Sequence, residues 1–260
     1  MAKRPVWLLE FDPDFPGPAL VAPHVEAHVV LGPRRPWDDE WPEVAPPFVA
    51  YGTMRTLRAM QRRPGLSAAV FDHYPSLRCS SYYRAVYDLL GRVAYILPLG
   101  GLPHARLERA FGARAFVRPD TNDKRLAAQP LDTARVAEFV ELYREHRDEL
   151  VVVSEFVELG DEYRCFCRDG RAFCHSSYPA EPYRPAPPEV VAFAERAAAR
   201  LAAVVPSRML SVDVAAGAGG ALRLVEVGGV NSWGLYGGDP RAFVAAMEAE
   251  ALELDAERRG

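Results

Sequence analysis

The sequence predicts an α/β (α+β) chain, and three observations carry that reading. The first third alternates short β-branched runs with segments of helical periodicity. Residues 151–178 read as strand, connector and hairpin, and residues 209–227 read as a second hairpin. At 260 residues, with 49% hydrophobic and 25% charged, the chain can bury a full core and divides into two or three subdomains. The net charge is −4 and the 31 basic residues are scattered, so charge alone gives no reason to expect a nucleic-acid surface. The start, MAKRPVWLLEFDPDF, has too few apolar residues before Glu10 for a signal segment, and no stretch approaches a membrane span. A cytoplasmic chain follows, with its four cysteines as packed thiols rather than a disulfide or zinc site.

Val6 to Glu10, His28 to Leu31 and Phe48 to Tyr51 are strand-like, the last two separated by a proline-rich loop. Tyr51-Gly52-Thr53 opens directly into the helical MRTLRAMQRR. Two readings stand here: free helix amides that take a substrate carboxylate or phosphate, or a simple Thr53 N-cap. Ala68 to Phe71 predicts a strand, Ser80 to Leu90 a helix stopped by Gly91. Tyr82, Tyr83 and Tyr87 on that helix read as packing. Val93 to Leu97 and a helix near His104 to Phe111 complete an N-terminal unit over residues 1–113.

Residues 114–260 form the second unit, in lobes 114–160 and 161–260. Phe116-Val117-Arg118 is a strand that Pro119 stiffens at its exit. Arg118 and Lys124 flank the polar Asp120 to Asp123 loop, and two cations around a flexible loop suit phosphate: lysine as a point charge, arginine as a fork. Asp132-Thr133 caps a helix to about Leu150, and Glu189 to Val205 is a second scaffold helix.

The Val151–Tyr178 stretch turns at Asp169-Gly170, which sets Arg168 against Arg171, Phe166 against Phe173, Cys165 against Cys174 and Arg164 against His175. Parity then puts Cys165, Cys167, Ala172 and Cys174 on one face. Glu162, Arg164, Phe166, Phe173 and His175 share the other, where an acid and an arginine two apart imply a charged ligand. In the last hairpin a four-residue loop, Gly217 to Gly220, would place Asp213 and Glu226 on one face, while a five-residue loop would separate them. Facing carboxylates call for a cation such as magnesium; the plainer alternative is an Asp213–Arg223 pair. Asp239-Pro240 caps the final helix, whose last residues, ELDAERRG, are expected to fray.

The run Glu155-Phe156-Val157-Glu158-Leu159-Gly160-Asp161-Glu162-Tyr163-Arg164 resembles the hinge of ATP-grasp ligases. The spacing of Arg118, Lys124 and Arg164 is most similar to the branch of that family marked by two arginines and a lysine, and the resemblance extends from about Arg114 to Tyr236. It implies an ATP-grasp fold beside an N-terminal α/β domain, with ATP and Mg2+ as cofactors. It also implies roles. The hinge from Glu155 through Phe156 and Val157 to Glu158 would bind the adenine edge, and Glu162 the ribose hydroxyls. Lys124 and Arg164, with Arg118, would hold phosphate and act in catalysis. Asp213 and Glu226 would be the magnesium acids. One position departs: the family's asparagine two residues after this glutamate is Gly228 here, and Asn231 is the candidate replacement ligand. Tyr51, Gly52, Thr53, Trp233 and Tyr236 are the candidate substrate contacts.

The implied activity is ATP-dependent amide formation between a small-molecule or peptide carboxylate and an amine, through an acyl phosphate. A nucleotide- or peptide-binding protein without turnover, or a phosphotransferase of the same fold, are the alternatives. The chain carries neither a Gly-x-Ser-x-Gly elbow nor an HExxH sequence, in keeping with chemistry that needs no protein nucleophile.

Overall fold

The computed structural model describes residues 4–32, 41–122, 125–178 and 181–260. It opens with β1 (Val6–Glu10), α1 (Gly17–Val21), β2 (His28–Leu31), β3 (Phe48–Tyr51) and α2 (Met54–Gln61). β2-β1-β3 form a parallel sheet. β1 is apolar from Val6 to Leu9 because both its faces are covered. Trp7 and Leu9 pack toward the C-terminal helix, and Leu8 toward α2. The expected strand at Ala68 to Phe71 is instead a 3-10 turn running into unpaired extended chain. Asn231 replaces the missing neighbour: its amide donates to Ala50 O (2.7 Å) and Ala69 O (3.2 Å) and accepts from Phe71 N (2.8 Å). A side chain thus satisfies backbone that the sequence pattern assigns to a ladder.

α3 (Cys79–Leu90) follows and is stopped by Gly91 at φ 59°, as the sequence predicts. Then come β4 (Ala94–Pro98), α4 (Leu107–Phe111), β5 (Arg114–Pro119), β6 (Gln129–Asp132), α5 (Val136–Leu142) and β7 (Leu150–Glu155). The second sheet has the order β4-β7-β5-β6 and is antiparallel. β4, placed with the N-terminal unit from sequence, pairs with β7. The helix expected to reach Leu150 ends at Leu142, because the carbonyls of Arg147 and Glu149 accept bonds from Gly100 and Leu99 instead of closing helical turns.

The third sheet, β11-β10-β8-β9, is built from β8 (Leu159–Arg168), β9 (Arg171–Tyr178), β10 (Met209–Gly217) and β11 (Leu222–Gly228), with α6 (Pro188–Leu201) between its hairpins. One face, with Cys165, Cys167, Val212 and Leu224, packs on α3 and α6. Along β8 the other face changes character: Glu162 and Arg164 are charged, Phe166 packs on Phe243 (5.1 Å between ring centroids), and Arg168 meets Glu250. Phe243 and Glu250 belong to α7 (Pro240–Arg259), which Asp239 caps and which continues helical to Arg259 rather than fraying.

The first hairpin corrects the expected register. Arg168 faces Arg171 and Cys167 faces Ala172, but a bulge at Phe173 puts Phe166 opposite Cys174, Cys165 opposite His175 and Arg164 opposite Ser176. Cys174 and His175 therefore exchange faces. Cys174 packs in the core beneath α7, while His175 accepts a bond from Ala186 N (3.0 Å) on the α6 side. All four cysteines are buried free thiols, and burial pushes Cys165 and Cys174 up to about 12. No helix among the described residues is long and apolar enough to cross a membrane.

The loop after β11 ties the third sheet to the first. Asp72, buried, accepts from Val230 N (2.6 Å) and Asn231 N (3.3 Å), while Asn231 O accepts from Gly52 N (3.0 Å). Asn231→Ala would leave Phe71 N–H and two carbonyls buried without partners. A loss of about 2 to 4 kcal/mol is expected, read as a lower urea midpoint with an unchanged slope.

Candidate active site

The second and third sheets enclose a cleft of about 1290 Å³, closed at its back by residues 156–158 and on a third side by Ser232–Tyr236 and the Asp14–Pro16 segment. Phe156, Val157 and Glu158 line it between β7 and β8 and belong to neither strand. The Arg114 guanidinium lies 3.9 Å from the Phe156 ring centroid. Glu155 is committed locally, its Oε2 accepting from Val93 N (2.7 Å).

The third sheet supplies the charges. Arg164 sends Nε to Asp213 Oδ1 (2.8 Å) and Nη2 to Asp213 Oδ2 (2.7 Å), a forked pair almost wholly out of solvent. Its guanidinium lies 4.5 Å from the ring centroids of both Tyr178 and Trp233 and 5.2 Å from that of Tyr236. Burial would lower the Arg164 pKa, but Asp213 more than offsets it and the group stays charged. Tyr236 stacks on Tyr178 (5.1 Å) and sits at φ 52°, a left-handed backbone that costs about 1 kcal/mol or more and is held by this stacking.

Asp213 and Glu226 are direct cross-strand partners. The loop has the five-residue register, Ala216 opposite Leu222, which alone would separate them; a bulge at Val225 brings them back together. Asp213 bonds Arg164, not Arg223. Glu226 is bonded through Oε1 by Arg118 Nη2 from the second sheet. Alternate residues then reach from the second sheet to its neighbours: Arg118 to Glu226 and Val225 O (3.5 Å), Asp120 to Ser80 N (2.6 Å) and Oγ (2.8 Å), Asn122 to Val227 O (3.1 Å). Burial would lower the Arg118 pKa, and Glu226 raises it well above the ordinary value.

Glu162 stands one bond behind the cleft wall. Tyr178 Oη lies 2.6 Å from Glu162 Oε1 and 2.9 Å from Asp213 Oδ2, so two carboxyls share a phenol that has one proton. Burial, with Asp213 and Glu226 nearby, pushes Glu162 up to about 7. A protonated Glu162 supplies the second proton this bridge needs.

Several expected residues lie elsewhere. Tyr51 is fully buried, bonded to Trp233 O (2.8 Å) and packed between Phe15 and Phe243, so it is core and not a substrate contact. Thr53 caps α2, and the amide site expected to attract a substrate anion is filled by the chain's own Glu10, which accepts from Thr53 N and Thr56 Oγ1, both at 2.6 Å. Gly52 is pressed against that same Glu10. Asn231 is fully buried with its amide spent on three backbone groups, which removes it as a metal ligand. Lys124 lies outside the described residues. Trp233 and Tyr236 do line the cleft.

Sequence reasoning missed Tyr178 and Asn122. The alternation 118, 120, 122 carried the signal for Asn122; Tyr178 was hidden by the Phe173 bulge, which makes it the partner of Glu162. Magnesium, as the family implies it, finds a fit at Glu226, which lines the cleft, but not at Asn231. Gly228 explains its own identity: a Cβ there would fall inside the Trp233 indole.

The fold and the hinged cleft define an ATP-grasp protein. More narrowly, residues 102–246 match the model for an ATP-grasp domain, the second family of the clade marked by two arginines and a lysine, and the chain belongs to that family. Among solved structures it is similar to the D-cycloserine synthetase DcsG (TM-score 0.63, 15% identity, 98% of this chain and 100% of that one). It is also similar to D-alanine–D-alanine ligase from Bacillus anthracis complexed with ATP (0.63, 14%, 100% of both). A third is the ATP-grasp ligase PsnB complexed with minimal precursor (0.62, 16%, 95% and 100%). A search of curated proteins finds no match.

Two outcomes test this geometry. Because Glu162 is raised from 4.5 to about 7, its stabilising protonated form is complete below pH 4.5 and lost as pH rises through 7. The Tm of Glu162→Gln minus that of wild type should therefore climb between pH 5 and 8, by the equivalent of on the order of 1 kcal/mol after discounting for solvent contact. Separately, Gly228→Ala should cost about 1 to 3 kcal/mol in urea unfolding, and markedly less when Trp233→Ala has already cleared the space.

Proposed function

We propose that the protein is an ATP-dependent carboxylate–amine ligase that holds the nucleotide in the cleft between the second and third sheets. The observation that carries this is the convergence, in one hinged cleft, of two buried arginines from opposite walls with the carboxylate of Glu226. In this reading the adenine lies along Phe156–Glu158, with the Phe156 ring and its Arg114 neighbour at that end. Glu162 answers the ribose through the Tyr178 relay. Arg118 and Arg164, joined by Lys124, neutralise the phosphates. Glu226 would hold magnesium, which would supply neutralising charge for the phosphates.

The proposed chemistry needs no protein nucleophile. A carboxylate oxygen of the donor substrate attacks the γ-phosphorus and ADP departs; the amine nitrogen then attacks the acyl carbon and inorganic phosphate departs. The chain's own groups orient and neutralise, and the Trp233 and Tyr236 side with the Asp14–Pro16 segment takes the acceptor. A small-molecule or peptide substrate fits this opening, and the free buried thiols suit a cytoplasmic setting.

A second reading, nucleotide binding without turnover, is favoured by Gly228 and by the full engagement of Asp213. ADP release with magnesium across a panel of carboxylates and amines separates the two. With ATP near 100 times its dissociation constant and magnesium near 100 times its own on the complex, wild type should gain about 5.4 kcal/mol, half of it magnesium-dependent, or roughly 10 °C in Tm. Glu226→Gln should lose the magnesium-dependent part of that gain and the ADP release while remaining folded. Equal magnesium stabilisation of both proteins would remove Glu226 as a ligand.

A further inference from the structure

We propose that the cleft takes one divalent ion per nucleotide, on Glu226, and that Asp213 serves as the anchor of Arg164 instead of a second ion. This deepens the reading of the cleft as a nucleotide site and rests on it.

The argument is a count of free donor atoms. Both Asp213 oxygens are used, Oδ1 by Arg164 Nε and Oδ2 by Arg164 Nη2 and the Tyr178 hydroxyl, and the residue has no exposed surface. An ion reaching Asp213 would have to expel a guanidinium that has no other carboxylate partner among the described residues. That guanidinium is also held by Tyr178 and Trp233 at 4.5 Å and by Gly234 O at 3.4 Å. Such an exchange strands the buried guanidinium and strips water from the ion, so it is strongly opposed. Asn231 has spent its amide, and position 228 offers no side chain because the Trp233 indole fills its place. Glu226 differs on each count. It lines the cleft, its side chain is 22% exposed, and its bond to Arg118 runs through Oε1. Among the described residues no group of three or more His, Cys, Asp or Glu is arranged to hold a metal. A magnesium ion bound by one carboxylate, with nucleotide phosphates and water completing six ligands, needs no such group.

Trp233 is on this view a positioning residue. It closes the space at Gly228 and fixes the guanidinium plane so that Arg164 keeps its fork on Asp213.

The test is a count of Mn2+ bound to the full chain at saturating AMPPNP, by the loss of free-ion signal in electron paramagnetic resonance. One ion per complex is expected. Glu226→Gln should weaken that ion by tenfold or more. Two ions per complex, or a spin-coupled pair, would overturn the proposal whatever the variant does. AMPPNP that binds neither with nor without Mn2+ would overturn the nucleotide reading itself, a separate result measured by calorimetry on the same protein.

Discussion

A guanidinium removed from water must find its carboxylate, and in this protein that one requirement organises the third sheet. Arg164 and Asp213 stand on neighbouring strands, directly paired, at the level where the sheet's inner face changes from the apolar floor under α7 to the open cleft. Everything around them serves that pair. Tyr178 holds Asp213 from the side, Trp233 and Tyr236 cover the arginine, and Gly228 exists to let Trp233 in. Removing either charged partner would leave the other buried and alone, a far larger penalty than the net worth of the pair.

The chain also supplies its own anions at the starts of two helices, α2 and α3. Glu10 fills the beginning of α2 and Asp120 the beginning of α3, while Asp72 gathers the amides of the loop after β11. Asp72 is raised to about 6 mainly by burial, with its backbone bonds pulling the other way. Asp120 ties the chain after β5 to α3, and Asp72 ties the N-terminal part of the chain to the loop after β11, each through a single side chain.

Most of the fold was legible because local rules sufficed. The Gly91 stop, the Asp239 cap, the alternation of β8 and a connector, read from sequence at Ser154 to Asp161 and found at residues 156–158, follow from patterns a few residues long. What escaped involves one residue too many or partners far apart. An inserted residue at Phe173 or Val225 leaves no trace in composition, yet each reverses which side chains share a face. The Arg118–Glu226 contact spans more than a hundred positions, and only the closed sheets reveal that Asn231 acts as backbone's partner rather than a ligand. Pairing of β4 with β7, not with its sequence neighbours upstream, was invisible for the same reason.

The second sheet hangs from the rest of the molecule by two crossings that lie side by side, at Arg92–Val93 before β4 and at Phe156–Glu158 after β7, the two strands being hydrogen-bonded neighbours. At the other end of its strands it is fastened by Arg118, Asp120 and Asn122. A door hung on one jamb and clasped on the other has a single easy rotation. Glu226 is half of that clasp and also faces the interior. In the proposed reading, loading the cleft and fastening the door draw on the same carboxylate, and by thermodynamic reciprocity each sets the other's equilibrium.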